Sequence, residues 1–333
     1  MMKRRFGSVL VLTVVVAACG CGRDGAGSRS GPMNAEVEPA DAVPEPDASR
    51  DESGAAAWEA ANAEQALTAL EQMGAAVKRD DRGRAVAVEL AGATEAALLH
   101  LKELTALKSL KLEGDQIADA GFENLAGLSN LKVLKLDMTA VGDAGLEKIA
   151  TLAGLQELYL TGTKITDAGL EHLARLTNLR RLRISRTPIT GQGLERLEPL
   201  PALENLDVSD TAVDDAGLAH LAGLPKLSRL NLYTTGVTDA GLDHLAGMTQ
   251  LTWLNLDNTQ VGDAGLPKLK PLADLEFLHL GRTRITDAGI DHLTGFAKLA
   301  TLHVTRTEVT EQGAEKLRKA LPGCEVLSGD PDG

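Results

Sequence analysis

The sequence predicts an α/β solenoid, a stack of strand–turn–helix units, and three observations carry that reading. An aliphatic anchor returns every 24 residues, at Leu107, Leu131, Leu155, Leu179, Leu203, Leu227, Leu251, Leu275 and Leu299, without insertion or deletion. Each copy opens on the spacing L-x-x-L-x-L, and most continue with Thr-Asp-Ala-Gly-Leu or a variant of it. A unit this short cannot enclose a core, so each must bury its apolar side against its neighbours.

Within a unit such as Leu155-Gln-Glu-Leu158-Tyr-Leu160, the last two leucines sit two apart and read as one face of a short strand. Leu170, Leu173 and Leu176 then fall three apart, which suits two turns of helix lying against that strand. Either Thr166 or Asp167 can accept the free amide hydrogens that open this helix, and the spacing does not choose between them. The repeated Asp167, Asp215, Asp239, Asp263 and Asp287 read as helix-start residues, since no unit carries the dense Asp/Asn/Gly loop of a calcium repeat. A glycine holds one place in every copy, from Gly121 and Gly145 through Gly169 to Gly313. Inside a helix it costs about 0.5–1 kcal/mol, so its return predicts close approach of the neighbouring unit.

On these residues the chain resembles the leucine-rich repeat family over about residues 83 to 327, most of all the 24-residue bacterial variety with T-D-A-G-L at 166–170, 238–242 and 286–290. The resemblance implies a curved solenoid of about ten units, with parallel strands on the concave side and short helices on the convex side. Where many members carry asparagine after L-x-L, this chain has Thr139, Thr163, Thr187, Thr211, Thr235, Thr259, Thr283 and Thr307. A hydroxyl there can still bond turn backbone, with fewer groups than an amide.

The ends are expected to close the stack. Val86 and Val88 stand 24 residues before Leu110 and Leu112, so residues 83 to 106 read as a degenerate first unit. Before it, Ala60 to Met73 reads as a capping helix with Leu67, Leu70 and Met73 on one side, inside a cap over 56–82. Val326 and Leu327 read as a last strand, and 328–333 as a disordered tail. Pro199 and Pro201 are expected to shorten the helix of the unit from Leu179.

The amino end carries an address. Lys3, Arg4 and Arg5 precede an apolar run, Val9 to Ala18, too short to span a bilayer and the right length for a signal peptide. Its close, Val16-Ala17-Ala18-Cys19, resembles the bacterial lipobox, which implies removal of residues 1–18 and acylation of Cys19. Two or three acyl chains at about 0.8 kcal/mol per buried CH2 suffice for stable anchoring in a lipid bilayer. Residues 19–55 are rich in Gly, Ser, Pro, Glu and Asp and read as an acidic disordered tether. Gly20, rather than aspartate, follows the lipidated cysteine, which resembles the pattern permitting transfer to the outer membrane; the expected location is the bacterial cell envelope.

Losing three cations with that signal takes the formal charge from -13 to about -16, which argues against nucleic acid as a partner. Three cysteines, one of them lipidated, leave no disulfide framework. His172, His220, His244 and His292 share one convex helix position beside a row of acids, the pattern of a solvated face, and no metal or cofactor is expected. No segment outside the repeats could house a second fold, and no nucleophile stands beside His279, His303 and Asp257, so the chain reads as no enzyme.

Function is then expected on the strand residues facing away from the core. Trp253, Phe277 and Tyr233 fall on adjacent rungs, bordered by Arg229, Asn255 and His279, an aromatic and arginine mixture typical of protein contact sites. A second candidate is the positive island Arg181, Arg183, Arg186 and Arg229, which suits an acidic peptide or anionic glycan. The leading expectation is a membrane-anchored scaffold that binds an unknown protein; the alternatives are a passive structural envelope lipoprotein and, less favoured, an enzyme or glycan-binding module.

Overall fold

The computed structural model describes residues 52–330, with side chains from Trp58 onward. The expected signal peptide at 1–18, the acyl site Cys19 and nearly all of the tether at 19–55 lie outside the described residues. A 21-residue helix α1 (Glu52–Gln72) leads into strand β1 (Ala76–Arg79), which pairs antiparallel with β2 (Ala85–Ala91). After the short helix α2 (Glu95–Leu101) comes β3 (Ser109–Glu113), and then three-residue strands at a regular interval. These are β4 (Val133–Lys135), β5 (Glu157–Tyr159), β6 (Arg181–Arg183), β7 (Asn205–Asp207), β8 (Arg229–Asn231), β9 (Trp253–Asn255), β10 (Phe277–His279), β11 (Thr301–His303) and β12 (Glu325–Leu327). All 12 strands form one sheet in sequence order, parallel from β2 onward. The chain therefore advances one rung per repeat, and the expected stack of units is what forms.

Leucines at the second and third strand-side positions are sealed inside, for example Leu158, Leu160, Leu254 and Leu256 at 0 % exposure. The helices opposite them are shorter than expected, mostly one turn of α or 3-10 helix such as Leu242–Leu245 and Leu266–Leu269. Both apolar residues of such a turn are buried in the one continuous core, as Leu242 and Leu245 are at 0 % exposure. Across units β3 onward the pairing offset is 24 residues, but Val88 pairs with Leu110 and Leu90 with Leu112, an offset of 22. The degenerate first unit is thus two residues shorter than the sequence suggested, and Leu90 rather than Val86 fills its inner position. Leu67 and Leu70 of α1 are buried as expected, while Met73 is exposed because the chain leaves the helix at Gly74. Pro199 and Pro201 follow a seven-residue 3-10 helix, Gly191–Leu197, that is as long as any other in the middle units, so they end the helix without shortening it. At the carboxyl end the Arg306 amide donates to the Gly329 carbonyl and the Arg306 side chain pairs with Asp330 at 3.0 Å.

Hydrogen bonds across the stack supply what the short strands lack. Beyond each strand the chain turns through a residue in the left-handed region, as at Met138, Arg186, Asp210, Thr234, Asn258, Arg282 and Arg306. That conformation costs a non-glycine residue roughly 1–2 kcal/mol. It aims the turn amide at the next unit: Met138 N donates to Thr161 O at 2.7 Å, Thr234 N to Asp257 O at 3.0 Å. The threonines in the expected asparagine position donate within the turn, Thr139 Oγ1 to Leu136 O at 2.7 Å and Thr259 Oγ1 to Leu256 O at 2.6 Å. They close their own unit and form no ladder between units.

The repeated aspartates do something the sequence reading assigned to a single unit. Asp167 does not cap the helix beside it; its Oδ1 accepts the Thr190 amide of the next unit at 2.9 Å and its Oδ2 the Thr190 hydroxyl at 2.6 Å. Asp143 binds Thr166, Asp215 binds Thr238, Asp263 binds Thr286 and Asp287 binds Thr310 in the same way. Thr190 caps its own helix, its Oγ1 accepting from Gln192 N, and Thr166 Oγ1 accepts from Ala168 N in the turn that leads into the helix from Gly169. The repeated glycine follows from this staple, because a Cβ at Gly169 would run into the Asp143 carboxylate reaching across from the preceding unit. One pair of units departs from the rule with both partners changed: Gly191 stands where the aspartate would be and Asp214 where the threonine would be. Asp214 caps its own helix on Gly217 N at 3.1 Å, and Gly191 leaves room for that carboxylate.

This geometry makes Gly169→Ala and Asp143→Ala interdependent. Alone, the alanine at 169 is expected to cost about 2 kcal/mol through overpacking and the loss of Asp143 about 1–3 kcal/mol through lost hydrogen bonds. Together they should cost less than their sum by about 1 kcal/mol or more in urea denaturation. Strict additivity would contradict the staple.

Candidate functional site

The strand residues facing away from the core form three rows, and the structure places the expected contact residues of β8 to β11 in them. Phe277 is in register with Trp253, and Trp253 with Arg229. The Trp253 and Phe277 rings stack with centroids 4.8 Å apart and 7° between planes. The Arg229 guanidinium lies over the far face of this pair, 4.9 Å from the Trp253 centroid. Trp253 and Phe277 are half-buried and Arg229 is exposed. Aromatic pairs of this kind contribute about 0.5–1.5 kcal/mol beyond the area they bury, so the ladder holds its own shape before any partner arrives.

In the adjoining row the stack continues as imidazoles. His279 and His303 are parallel within 11° at 4.1 Å, and Phe277 meets His303 at 5.4 Å. His303 was visible at the same repeat position as His279, but only the rung spacing shows that their rings touch. The Gly281 amide donates to His279 Nδ1 at 3.1 Å, which fixes that nitrogen as an acceptor and the ring as neutral. Asp257 lies 3.9 Å from the same nitrogen, yet its carboxylate is taken by Arg282, through Nε at 2.9 Å and through Nη2. The neutral form is the one the surroundings favour: burial, with the nearby His303 and Arg282, holds His279 down at about 4 against the pull of Asp257. Burial lowers His303 as well, opposed by Asp257 and Glu325.

Tyr233 does not join this ladder. It lies in the third row, one position before the left-handed turn, and its ring faces Arg282 at 5.2 Å. Tyr233, Arg282 and Asp257 thus make a separate cluster, with Asp257 at 5 % exposure. Sequence reasoning missed Arg282 because it sits on the turn and outside the strand rows. Asn255 borders the aromatics as expected, its side-chain oxygen accepting the Asp257 amide at 2.9 Å.

The arginine island is largely neutralised from within. Arg181 pairs with Glu157 at 3.3 Å and also donates to the Tyr159 hydroxyl at 3.0 Å, Arg183 pairs with Asp207 at 3.1 Å, and Arg186 with Asp210 at 3.6 Å. Tyr159, not singled out from the sequence, is the centre of that region. Lys135 and Arg183 lie 5.0 and 5.4 Å from its ring, and its hydroxyl donates to Glu157 at 2.7 Å. On the helix side the expected rows of opposite charge pair across units, as in Lys268 with Asp243 at 2.7 Å and Lys316 with Asp291. Among the described residues no group of three or more His, Cys, Asp or Glu side chains converges as metal ligands, and no helix is long and apolar enough to cross a membrane. Cys324 is partly buried against the core, and burial raises its thiol.

A family model described as leucine-rich repeat matches residues 127–150, 155–174 and 175–197. The whole sheet has that architecture. The chain folds as a leucine-rich repeat solenoid. The structure is similar to the crystal structure of an internalin, inlF, from Listeria monocytogenes str. 4b F2365, with TM-score 0.55 and 22% identity over 81% of this chain and 88% of that one. It is also similar to a TDR receptor, with TM-score 0.52 and 15% identity over 70% of this chain and 40% of the receptor, so it spans well under half of that protein. No curated protein matches the sequence significantly. At these identities the likeness is one of fold.

The imidazole pair gives this surface a pH signature. The folded state holds His279 at about 4 against about 6.5 when unfolded, so the unfolded chain binds the extra proton between those values. Stability is therefore expected to fall as pH drops from about 6.5 toward 4. Urea denaturation across that window should show a shallower slope for His279→Gln than for the unmodified chain; equal slopes would remove His279 from the account.

Proposed function

We propose that this chain is a lipid-anchored interaction scaffold of the bacterial cell envelope that captures a protein partner on its strand side, around Trp253, Phe277 and Arg229. The observation that carries the reading is the half-exposed Trp253–Phe277 stack capped by Arg229. In a chain with four phenylalanines, two tryptophans and two tyrosines, a preformed pair of large aromatic rings stands on a surface whose backbone never varies. Tryptophan and arginine dominate protein contact energies, and a surface rigid before binding loses little entropy on docking. Asn255 and His279 border the contact; Tyr233, with Arg282, belongs to its rim, and Arg181 and Arg183 contribute only if a partner displaces Glu157 and Asp207. The anchor rests on the Lys3-Arg4-Arg5, apolar run and Ala17-Ala18-Cys19 pattern, and Gly20 after it supports an outer-membrane destination.

Replacing Trp253 and Phe277 together by alanine should reduce cross-linking to a native envelope partner at least tenfold, while the circular dichroism spectrum stays that of the folded chain. Undiminished cross-linking by the folded variant would leave the passive structural reading. Metabolic labelling with a palmitate analogue should mark the chain and fail on Cys19→Ala; label retained by that variant would refute the anchor.

A further inference from the structure

Arginines on this strand surface follow a rule with one exception. Arg181 and Arg183 each face a carboxylate on a neighbouring strand, and the turn arginines Arg186 and Arg282 do the same with Asp210 and Asp257. Arg229 faces none: among the described residues its one partner is the Trp253 ring, 4.9 Å away. On a chain of formal charge -13 that has placed a carboxylate beside the other strand arginines, an exposed guanidinium without a counter-ion is an unmet charge. The guanidinium sits over the indole and its N–H groups meet no carboxylate among the described residues, so they are left to receive one through two parallel hydrogen bonds.

One rung along and one row across, Asn255 has its side-chain oxygen committed to the Asp257 amide. Its amide nitrogen is therefore presented as a donor on the same surface, and no described residue accepts from it. Beside these donors lie the apolar edges of Trp253 and Phe277. The ring faces are crowded: Trp253 and Phe277 cover each other, Arg229 lies over Trp253, and the His303 ring lies tilted by 53° against Phe277. A sugar ring needs a free aromatic face to lie on, whereas an aliphatic side chain can lie across the edges, so the occupant is a protein segment. Lys135 is the other strand cation without a carboxylate, but the tyrosine beneath it is 8 % exposed with its hydroxyl tied to Glu157 and Arg181, so no apolar edge accompanies it.

We infer that Arg229, Trp253 and Asn255 form a carboxylate clamp that reads an aspartate or glutamate of the partner, whose neighbouring apolar side chain packs on the edges of Trp253 and Phe277. The inference rests on the docking-surface reading above and names the chemistry that surface selects.

The test titrates the 15N-labelled full chain in detergent micelles with the capped peptide acetyl-Leu-Glu-Leu-amide, its glutamine analogue and glucuronate, following the Trp253 indole and Arg229 Nε–H signals. Both signals should shift with the glutamate peptide, and the glutamine analogue should bind at least fivefold more weakly. Arg229→Gln should abolish that preference and Lys135→Gln should keep it, and raising NaCl from 0.05 to 0.5 M should weaken the glutamate peptide alone. Equal binding of the two peptides that is lost in Trp253→Ala would overturn the clamp while leaving the docking surface standing. Absence of any shift, or glucuronate binding as tightly as the glutamate peptide, would also overturn it.

Discussion

Among the described residues, the hydrogen bonds that join one repeat to the next hold this solenoid together. A turn amide donates to the next unit's carbonyl, a helix-start aspartate grips the next unit's threonine, and leucines at 0 % exposure are covered by leucines of the adjoining rungs. A strand of three residues has too few hydrogen bonds of its own to persist, so stacking is the condition of its existence. The left-handed turn residues show the cost of that condition, since seven positions accept a strained conformation in order to aim an amide across the gap. The paired change at Gly191 and Asp214 shows that the condition is local. Two substitutions in adjoining units restore the fit, and the pairing of β6 with β7 keeps the same offset as its neighbours.

Because packing takes up the inward positions and stapling takes up the helix starts, the strand-side rows are left to differ from rung to rung. Around Tyr159 the rows balance themselves, cation against carboxylate and cation against ring. Around Trp253 they do not: ring meets ring in sequence from Arg229 through Trp253 and Phe277 to the stacked His279–His303 pair, with a positive end and no acid facing it. The same rung spacing of the parallel sheet that fixes the core also sets the ring spacing, so the ladder is rigid without any contact outside the sheet.

Much of this was legible in the chain. The 24-residue anchors named the buried leucines, the L-x-L spacing named the strands, and the rows facing outward named Trp253, Phe277, Arg229, Asn255 and His279 as neighbours. Tyr233 was placed with them because it follows the same alternation, yet the strand ends two residues before it and the chain has begun to turn. The first unit was misaligned by two residues because Val86-Ala87-Val88-Glu89-Leu90 offers two equally good alternating pairs, and only the shorter connection to Leu110 selects between them.

The sequence by itself determined periodicity, and with it which residues point inward, since that depends only on spacing along one chain. The tertiary structure alone decided partners: Asp167 with Thr190 instead of its own helix, Asp257 with Arg282 instead of His279, Arg229 with Trp253 and no acid. An aspartate at a helix start satisfies the amide beside it and the amide of the next unit equally well on paper. The choice is made by the distance between stacked units, which exists only once they are stacked.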